Sequence, residues 1–170
     1  SAQLAIPQTY ATDPVFTLPA SALGMQSGNF YCTAANFAQD INNDGFLELL
    51  VGFSSANQAF MVDGKTGNAI HTLNGPITSS AFGVAMIPLN DVNNNGLEDF
   101  AVSDTSTLSA FNTNDGSVSV YDGGGTMLYQ VSGTMQNEAF GTALTTMHDL
   151  TNDGIDDFAV SAMGSSSVYV

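Results

Sequence analysis

Three stretches of the chain carry oxygen-bearing side chains at the same spacing. They are residues 40–48, 91–99 and 149–157, named here loops 1, 2 and 3. Loop positions 1, 3, 5 and 9 hold these side chains, which are Asp40, Asn42, Asp44 and Glu48, then Asp91, Asn93, Asn95 and Asp99, then Asp149, Thr151, Asp153 and Asp157. A glycine at position 6 permits the sharp turn that aims the oxygens at a common point. Because Ca²⁺ takes about six to eight oxygen ligands, each loop is predicted to bind one such ion.

The negative charge of the chain is consistent with cation binding by the three loops. There are 16 acidic residues against one lysine or arginine, and the formal net charge is −15. Ten of the acidic residues lie in the three loops, and a merely acidic, solvated surface does not explain that clustering. Nucleic acid is excluded as a partner, because the chain has almost nothing to neutralise phosphates.

The segments that follow each loop must position it, and they are predicted to be strands. An apolar run comes directly after every loop, at residues 49–52, 100–103 and 158–162. A second run follows at residues 59–62, 117–121 and 167–170, and the first two copies add a third at 69–73 and 127–131. Asp63-Gly64 and Asp122-Gly123 are predicted to make the hairpin turns between the second and third runs.

The similarity also extends ahead of the loops. Phe82-Gly83 and Phe140-Gly141 stand nine residues before loops 2 and 3, and Tyr31-Cys32 occupies that place before loop 1. No segment keeps a helical period, and the repeat recurs at intervals typical of four short strands. The chain is therefore predicted to be all-β, with about three propeller-type blades at residues 31–75, 82–133 and 140–170.

The combination of Phe-Gly, acidic loop and buried strand resembles FG-GAP repeats, the blades of integrin α-subunit propellers and of many secreted bacterial proteins. The family's second signature is Gly-Ala-Pro. Val160-Ser161-Ala162 is close to that signature, Val51-Gly52-Phe53 keeps its glycine, and Val102-Ser103-Asp104 departs from it. The resemblance implies that Ca²⁺ is bound by the side chains at positions 1, 3, 5 and 9 and by the position-7 carbonyl. That carbonyl belongs to Phe46, Leu97 and Ile155.

An EF-hand is the main rival interpretation of the loops. It requires a bidentate glutamate at position 12 and flanking helices. Position 12 is occupied by Val51, Val102 and Val160, each inside an apolar run. The loops are therefore not EF-hands.

The two ends of the chain raise the question of how the blades are completed. Residues 1–13 are predicted to be an extended arm, and residues 14–170 the domain, in which 14–20 is a complementing outer strand. The third copy lacks a fourth strand, and closed propellers need about four to eight blades. Three explanations stay open: a piece of a longer propeller, a ring of several copies, or an open chain in which one copy donates a strand to the next.

A catalytic site is not expected. His71 and His148 do not recur between copies, and Cys32 is expected to be a small buried residue at a glycine position. The resulting hypothesis is a non-catalytic, extracellular calcium-binding module for adhesion or assembly, with protein or other copies of itself as partners. Millimolar calcium outside cells suits such loops, and no apolar stretch is long enough to span a bilayer. The alternatives are a subunit of an extracellular filament or matrix and an accessory domain of a larger secreted enzyme.

Overall fold

The strands of the protein form three antiparallel sheets. The computed structural model describes residues 18–25, 31–76, 81–106 and 115–170. Blade 1 comprises β1 (Ala34–Ala38), β2 (Glu48–Phe53), β3 (Gln58–Val62) and β4 (Ala69–Asn74). Blade 2 comprises β5 (Phe82–Leu89), β6 (Asp99–Asp104), β7 (Ser117–Tyr121) and β8 (Met127–Ser132). Blade 3 comprises β9 (Phe140–Thr146), β10 (Phe158–Ala162) and β11 (Ser167–Tyr169).

This architecture confirms the prediction of an all-β protein built of propeller-type blades. Strands in each blade are neighbours in the order in which they occur in the chain, so each blade is a simple meander. The described strands do not close into a ring. Short 3-10 turns are found at Ala20–Leu23, Ser54–Ala56 and Met163–Ser165. No helix in the described parts of the chain has the length and apolar character needed to cross a membrane.

The apolar core lies between successive blades. Leu50, Ala59 and Met61 of blade 1 pack against Phe100 and Val102 of blade 2. The opposite face of blade 2 packs in the same way on blade 3; this second cluster contains Ile87, Ala101, Val118, Val120, Phe140, Val160 and Ala162. Successive residues of a strand point to opposite faces, so a central blade needs apolar residues at nearly every position. That requirement explains the continuous apolar runs after the loops.

The two Phe-Gly pairs fasten each blade to the one before it. Phe82 and Phe140 are buried at the start of β5 and β9. Gly83 has a φ of +85°, and a Cβ atom there would lie 2.9 Å from the carbonyl oxygen of Gln58 in blade 1. Gly141 has a φ of +92°, and its Cβ would lie 2.8 Å from the Cβ of Ser103 in blade 2. Glycine is needed at both positions because the backbone is left-handed and a neighbouring blade approaches it closely.

The chain ahead of blade 1 covers the outer face of that blade. Leu18, Leu23 and Met25 pack against Val51 and Phe53 of β2 and against β3. Of the predicted complementing strand 14–20, residues 14–17 lie outside the described residues, as does the predicted arm 1–13. Residues 18–20 of the predicted complementing strand are not in a strand. Leu18 packs on blade 1, and Ala20 begins a 3-10 turn.

The hairpin turns of blades 1 and 2 begin at the predicted Asp-Gly pairs but are longer than two residues. The amide of Asp63 donates to the carbonyl of Asn68, and that of Asp122 donates to Thr126. The left-handed residues are Gly67 and Gly125, not the glycines that follow the aspartates. Gly64 and Gly123, the glycines of the two Asp-Gly pairs, instead contact the acidic loops.

Candidate metal-binding loops

The three acidic loops share one backbone path. Position 6 is left-handed in each, with φ of 91° at Gly45, 88° at Gly96 and 92° at Gly154. Position 4 is left-handed as well, with φ of 59°, 59° and 60°; it is occupied by Asn43, Asn94 and Asn152. Asparagine tolerates this conformation better than most residues. The repeated asparagine was therefore a signal for the turn that the sequence analysis did not use.

The first aspartate of each loop organises the turn through both of its carboxylate oxygens. In loop 1, Asp40 Oδ1 accepts from the amide of Asp44 at 3.0 Å and Oδ2 accepts from Gly45 at 2.8 Å. Asp91 makes the same two contacts in loop 2, at 2.8 and 2.6 Å. Asp149 repeats them in loop 3, at 3.2 and 2.8 Å. The three loops are thus alike in hydrogen bonding as well as in sequence.

The side chains at position 5 also bond within their loops. Asp44, Asn95 and Asp153 each accept from the amide of the residue two places later, at 3.0, 2.8 and 2.9 Å. These are Asx turns, in which a short polar side chain holds its own backbone. Positions 1 and 5 of every loop are therefore brought into one compact turn.

The position-9 carboxylates of loops 1 and 2 are fully buried. Glu48 Oε2 accepts from the amide of Gly64 at 3.1 Å, and Asp99 Oδ1 accepts from Gly123 at 3.1 Å. These are the Asp-Gly glycines of the hairpin turns. A Cβ atom on Gly64 would lie 1.9 Å from the carbonyl oxygen of Leu47, so only glycine lets the hairpin approach the loop this closely.

Burial makes the charge of these two carboxylates costly. It raises the pKa of Glu48 and of Asp99, although backbone amides that donate to each carboxylate act in the opposite direction. Glu48 Oε1 is buried and has no hydrogen-bond partner among the described residues. A buried acceptor without a partner is uncommon, and a cation is one kind of group that would satisfy it.

Loop 3 presents its position-9 carboxylate differently. Asp157 is partly exposed, and its Oδ2 accepts from the amides of Leu150 and Thr151 at 2.6 and 3.0 Å. No hairpin glycine from a fourth strand reaches it within the described residues.

The one lysine of the chain lies beside loop 1. Lys65 Nζ is 3.9 Å from Asp44 Oδ2 and 5.4 Å from the centre of the Phe46 ring. Half of the lysine side chain is exposed, so water screens the ion pair and it adds little stability. Loop 1 therefore keeps most of its negative charge.

The residues present fit an oxygen-seeking cation. Every loop offers carboxylate, amide or hydroxyl oxygens at positions 1, 3, 5 and 9, and the position-7 carbonyls belong to Phe46, Leu97 and Ile155. In the described parts of the chain, no three histidine, cysteine, aspartate or glutamate side chains are gathered closely enough to hold a metal by themselves. Amide and carbonyl oxygens would have to complete the ligand set, as they do in many Ca²⁺ sites.

Comparison with known proteins gives a distant similarity to an integrin. The chain is 27% identical over 172 aligned residues to integrin alpha-PS3 of Drosophila melanogaster. The alignment covers 86% of this chain and 14% of that protein. No family model matches the chain. A crystal structure of a protein of unknown function from Bacteroides caccae aligns with 79% of this chain and 39% of its own, at 9% identity and a TM-score of 0.45.

A second set of acidic residues, which the sequence analysis did not single out, joins each loop to the next. Glu98, at position 8 of loop 2, accepts from the amide of Gln39 at 2.5 Å. Asp156, at position 8 of loop 3, accepts from the side-chain amide of Asn90 at 2.6 Å. Gln39 and Asn90 each directly precede the first aspartate of a loop. The sequence signal that could have identified these contacts is an acidic residue at position 8, which loops 2 and 3 have and loop 1 lacks.

Two of the three residues considered for catalysis, His71 and Cys32, have different surroundings. His71 in β4 lies between blades, with Nε2 3.0 Å from the carbonyl oxygen of Gly123. Cys32 is exposed, and the expectation that it is buried was wrong. Its counterparts Gly83 and Gly141 each lie against a preceding blade, whereas blade 1 is the first in the described chain.

Proposed function

We propose that this chain is a calcium-stabilised β-propeller module that acts outside the cell in adhesion or in protein assembly, without catalysis of its own. The observation that carries the proposal is the threefold repetition of one acidic turn with the same internal hydrogen bonds. The buried, unpartnered oxygen of Glu48 supports a cation in loop 1. The distant similarity to integrin alpha-PS3 supports the adhesion role.

The chain's own residues define what calcium would do. Position 9 ends each loop and begins or precedes the central strand of its blade, so it couples the turn to the sheet. A bound Ca²⁺ would supply the positive charge that these carboxylates lack. Because the ion would bind the folded loops and not the unfolded chain, it would stabilise the fold by mass action.

A chelation experiment tests the metal role. Thermal unfolding is followed in excess EDTA and again with millimolar CaCl₂, and the midpoint is expected to rise by several degrees with calcium. Glu48→Gln serves as the matched variant, because it keeps the size of the side chain and removes its charge. It should reduce the calcium-dependent rise and leave the midpoint in EDTA unchanged or higher. Identical melting curves in EDTA and calcium would refute the proposal.

Assembly by strand donation is a second candidate, favoured by one observation. β11 pairs with β10 on one side only, whereas β3 and β7 each lie between two strands. Such an edge can accept a strand from another chain. Deletion of residues 1–17 keeps Leu18 and the cover of blade 1, and is expected to abolish self-association measured by sedimentation velocity. Unchanged association after the deletion would exclude these residues as the donor.

A further inference from the structure

Hydrogen bonds join neighbouring acidic loops into one series. Asn90 directly precedes loop 2 and donates its side-chain amide to Asp156, at position 8 of loop 3, at 2.6 Å. Gln39 directly precedes loop 1, and its backbone amide donates to Glu98, at position 8 of loop 2, at 2.5 Å. The partners are 66 and 59 residues apart in the chain, so the stacking of blades brings them together. The same pair of loop positions meets at both junctions between loops.

The acids at position 8 are not needed by the loops that carry them. The predicted ligand side chains are at positions 1, 3, 5 and 9, and position 7 contributes a carbonyl. Loop 1 has the same turn but carries Leu47 at position 8. Glu98 and Asp156 are half-buried, and each accepts a hydrogen bond from the residue ahead of the preceding loop. Their contacts therefore serve the neighbouring loop.

Position 9 connects each of these contacts to the start of its own loop. In loop 2, Asp99 Oδ2 accepts from the amide of Val92 at 2.8 Å. In loop 3, Asp157 Oδ2 accepts from the amides of Leu150 and Thr151 at 2.6 and 3.0 Å. Positions 8 and 9 are adjacent in the backbone, so the acid that holds the preceding loop is tied to the start of its own. A continuous series of bonds thus crosses all three loops.

This series gives an ion in one loop an effect on the next. Residues 93–96 and 151–154, the middle parts of loops 2 and 3, are exposed. Exposed loop backbone has conformational freedom that must be given up when several of its oxygens bind one ion. An ion that fixes loop 3 would also fix Asp156 and, through it, Asn90 at the start of loop 2. Loop 2 would then lose less freedom when it binds its own ion, and by linkage the effect is reciprocal.

The charges of the loops act in the opposite direction. Loop 3 carries four acids, so it is more negative when empty than when it holds a cation. An empty loop 3 should therefore attract a cation to loop 2 more strongly than a filled one. Water and salt screen exposed charges over about 8 Å at physiological ionic strength, whereas a direct hydrogen bond to a carboxylate is screened much less. The two effects have opposite signs, so the sign of the coupling distinguishes them.

We propose that Glu98 and Asp156 are positioning residues for the loop that precedes each of them, and that neighbouring loops consequently bind cations with positive coupling. The inference rests on the calcium role proposed above and deepens it by stating how the sites regulate one another. Loops that bind cations independently would refute the coupling and leave the calcium role intact.

Sensitised terbium luminescence can follow loop 2 alone. The chain contains no tryptophan, so Leu97→Trp, at position 7 of loop 2, supplies a single indole. Position 7 is predicted to contribute its backbone carbonyl, which the substitution keeps, and loop 1 already has the aromatic Phe46 there. Tb³⁺ is an oxygen-seeking cation that emits when a nearby indole is excited. Titration of this parent at an ionic strength of about 0.15 M gives the Kd of loop 2.

The hydrogen bond between loops 2 and 3 is tested with residues that are not ligands. Asn90→Ala and Asp156→Leu should each raise the Kd of loop 2 about fivefold or more, and the double variant little further. Asp156→Asn keeps an acceptor oxygen and should stay within about twofold of the parent. Asn90→Ala changes no charge, so an equal effect of the first two variants identifies the bond as the cause. Asn68→Ala, at an exposed site in the hairpin of blade 1, is the control and should have no effect.

Emptying loop 3 tests the sign of the coupling. Asp149→Ala removes the first ligand of loop 3 and should raise the Kd of loop 2 about fivefold. In the Asn90→Ala background the same substitution should change that Kd by less than about twofold, because the connection is already broken. Circular dichroism checks the fold of each variant. Thr151→Ala, which weakens loop 3 without changing its charge, replaces Asp149→Ala if that variant does not fold.

Two outcomes would overturn the coupling alone. One is a Kd of loop 2 that Asn90→Ala and Asp156→Leu leave unchanged. The other is a Kd that falls when loop 3 is emptied, which would show that charge repulsion between the ions prevails. Absence of sensitised emission from tryptophan at position 7 of all three loops would refute the metal role itself, and the coupling with it.

Discussion

Blade 3 differs from blades 1 and 2 in what surrounds its third strand. β3 and β7 lie between two strands, and the turn that follows each sends a glycine amide to the position-9 carboxylate of the loop. β11 has a strand on one side only, and the position-9 carboxylate of loop 3 is partly exposed. The fourth strand of a blade therefore has two roles: it pairs the edge and it buries one end of the acidic loop.

Another carboxylate holds β11 in place. Glu138 is buried in the link between blades 2 and 3. It accepts from the amides of Thr134 and Met135, from the hydroxyl of Ser165 at 3.0 Å, and from the hydroxyl of Tyr169. Burial alone would raise the pKa of Glu138, but these hydrogen bonds outweigh it and hold that pKa below its ordinary value. Thus the Glu138 side chain holds the third strand of blade 3, whereas a fourth strand pairs with the third strand in blades 1 and 2.

The largest effect is expected where the hairpin meets the loop. Gly64→Ala would place a methyl group 1.9 Å from the carbonyl oxygen of Leu47, so the turn must move away from Glu48. We expect a loss of about 3 kcal/mol in the free energy of unfolding, measured with urea. Gly124→Ala is the control, because its Cβ would meet no atom closer than 3.3 Å. Equal effects of the two substitutions would show that the hairpin does not brace the loop.

A matched pair of valines measures what a covering blade contributes. Val118 is completely buried and Val168 is 69% exposed, although they occupy the same hairpin position. Val118→Ala should lower the free energy of unfolding by about 2 kcal/mol, through lost contact and a residual cavity. Val168→Ala should change it by less than about 0.5 kcal/mol. A large effect at Val168 in dilute solution would mean that another group already covers it.

Glu138→Gln tests the fastening of blade 3. It should lower the free energy of unfolding by about 1–2 kcal/mol at pH 7, because hydrogen bonds to a charged acceptor become bonds to a neutral one. A carboxyl group whose pKa is lowered by folding stabilises the protein above its unfolded pKa of about 4.3, and this contribution is lost as the pH falls through the folded pKa. The variant should therefore lose less stability than the parent between neutral and acidic pH.

Tyr169→Phe removes one donor to Glu138 and should show a smaller change in the same direction. If Glu138→Gln and the parent lose stability equally on acidification, the carboxylate does not have the role assigned to it.

The smallest effect concerns the order in which the loops would bind calcium. Loop 2 has two charged side chains at its ligand positions, Asp91 and Asp99, whereas loop 3 has Asp149, Asp153 and Asp157. Because affinity rises with ligand charge, Asp91→Ala should leave the tightest calcium-binding event unchanged in a calorimetric titration. Asp149→Ala is the comparison. Loss of the tightest event in the Asp91 variant would reverse the ranking.

Local sequence predicted the strands well because their cause is local. The apolar runs at 49–52, 100–103 and 158–162 lie inside β2, β6 and β10. The glycine at position 6 likewise belongs to a turn in each loop. These features depend on residues that are neighbours in the chain, so spacing and residue type were sufficient.

Contacts between distant segments could not be predicted in the same way. Gln39 and Glu98 meet only because two blades stack, and nothing near Gln39 marks its partner. The packing of Leu18 on the outer face of β2 was not predicted, because residues 14–20 have the composition of a strand. The role of Gly64 was not predicted for a similar reason. Its φ is ordinary, and glycine is required there because the backbone of Leu47 lies too close for a Cβ atom.

The geometry of loop 2 also bears on the chemical lifetime of the protein. Asn95-Gly96 is an Asn-Gly pair, a dipeptide prone to spontaneous deamidation, in which the glycine nitrogen attacks the carbonyl carbon of the asparagine side chain, ammonia leaves and the resulting succinimide hydrolyses to an acid. In the folded loop the Gly96 N–H donates to Asp91 Oδ2 at 2.6 Å, and this hydrogen bond disfavours the attack. The succinimide opens to aspartate or isoaspartate, and the aspartate product would give loop 2 the acid that Asp44 and Asp153 provide in loops 1 and 3. We therefore expect the folded loop to deamidate more slowly than the unfolded chain, which would preserve the charge difference between loop 2 and the other two loops.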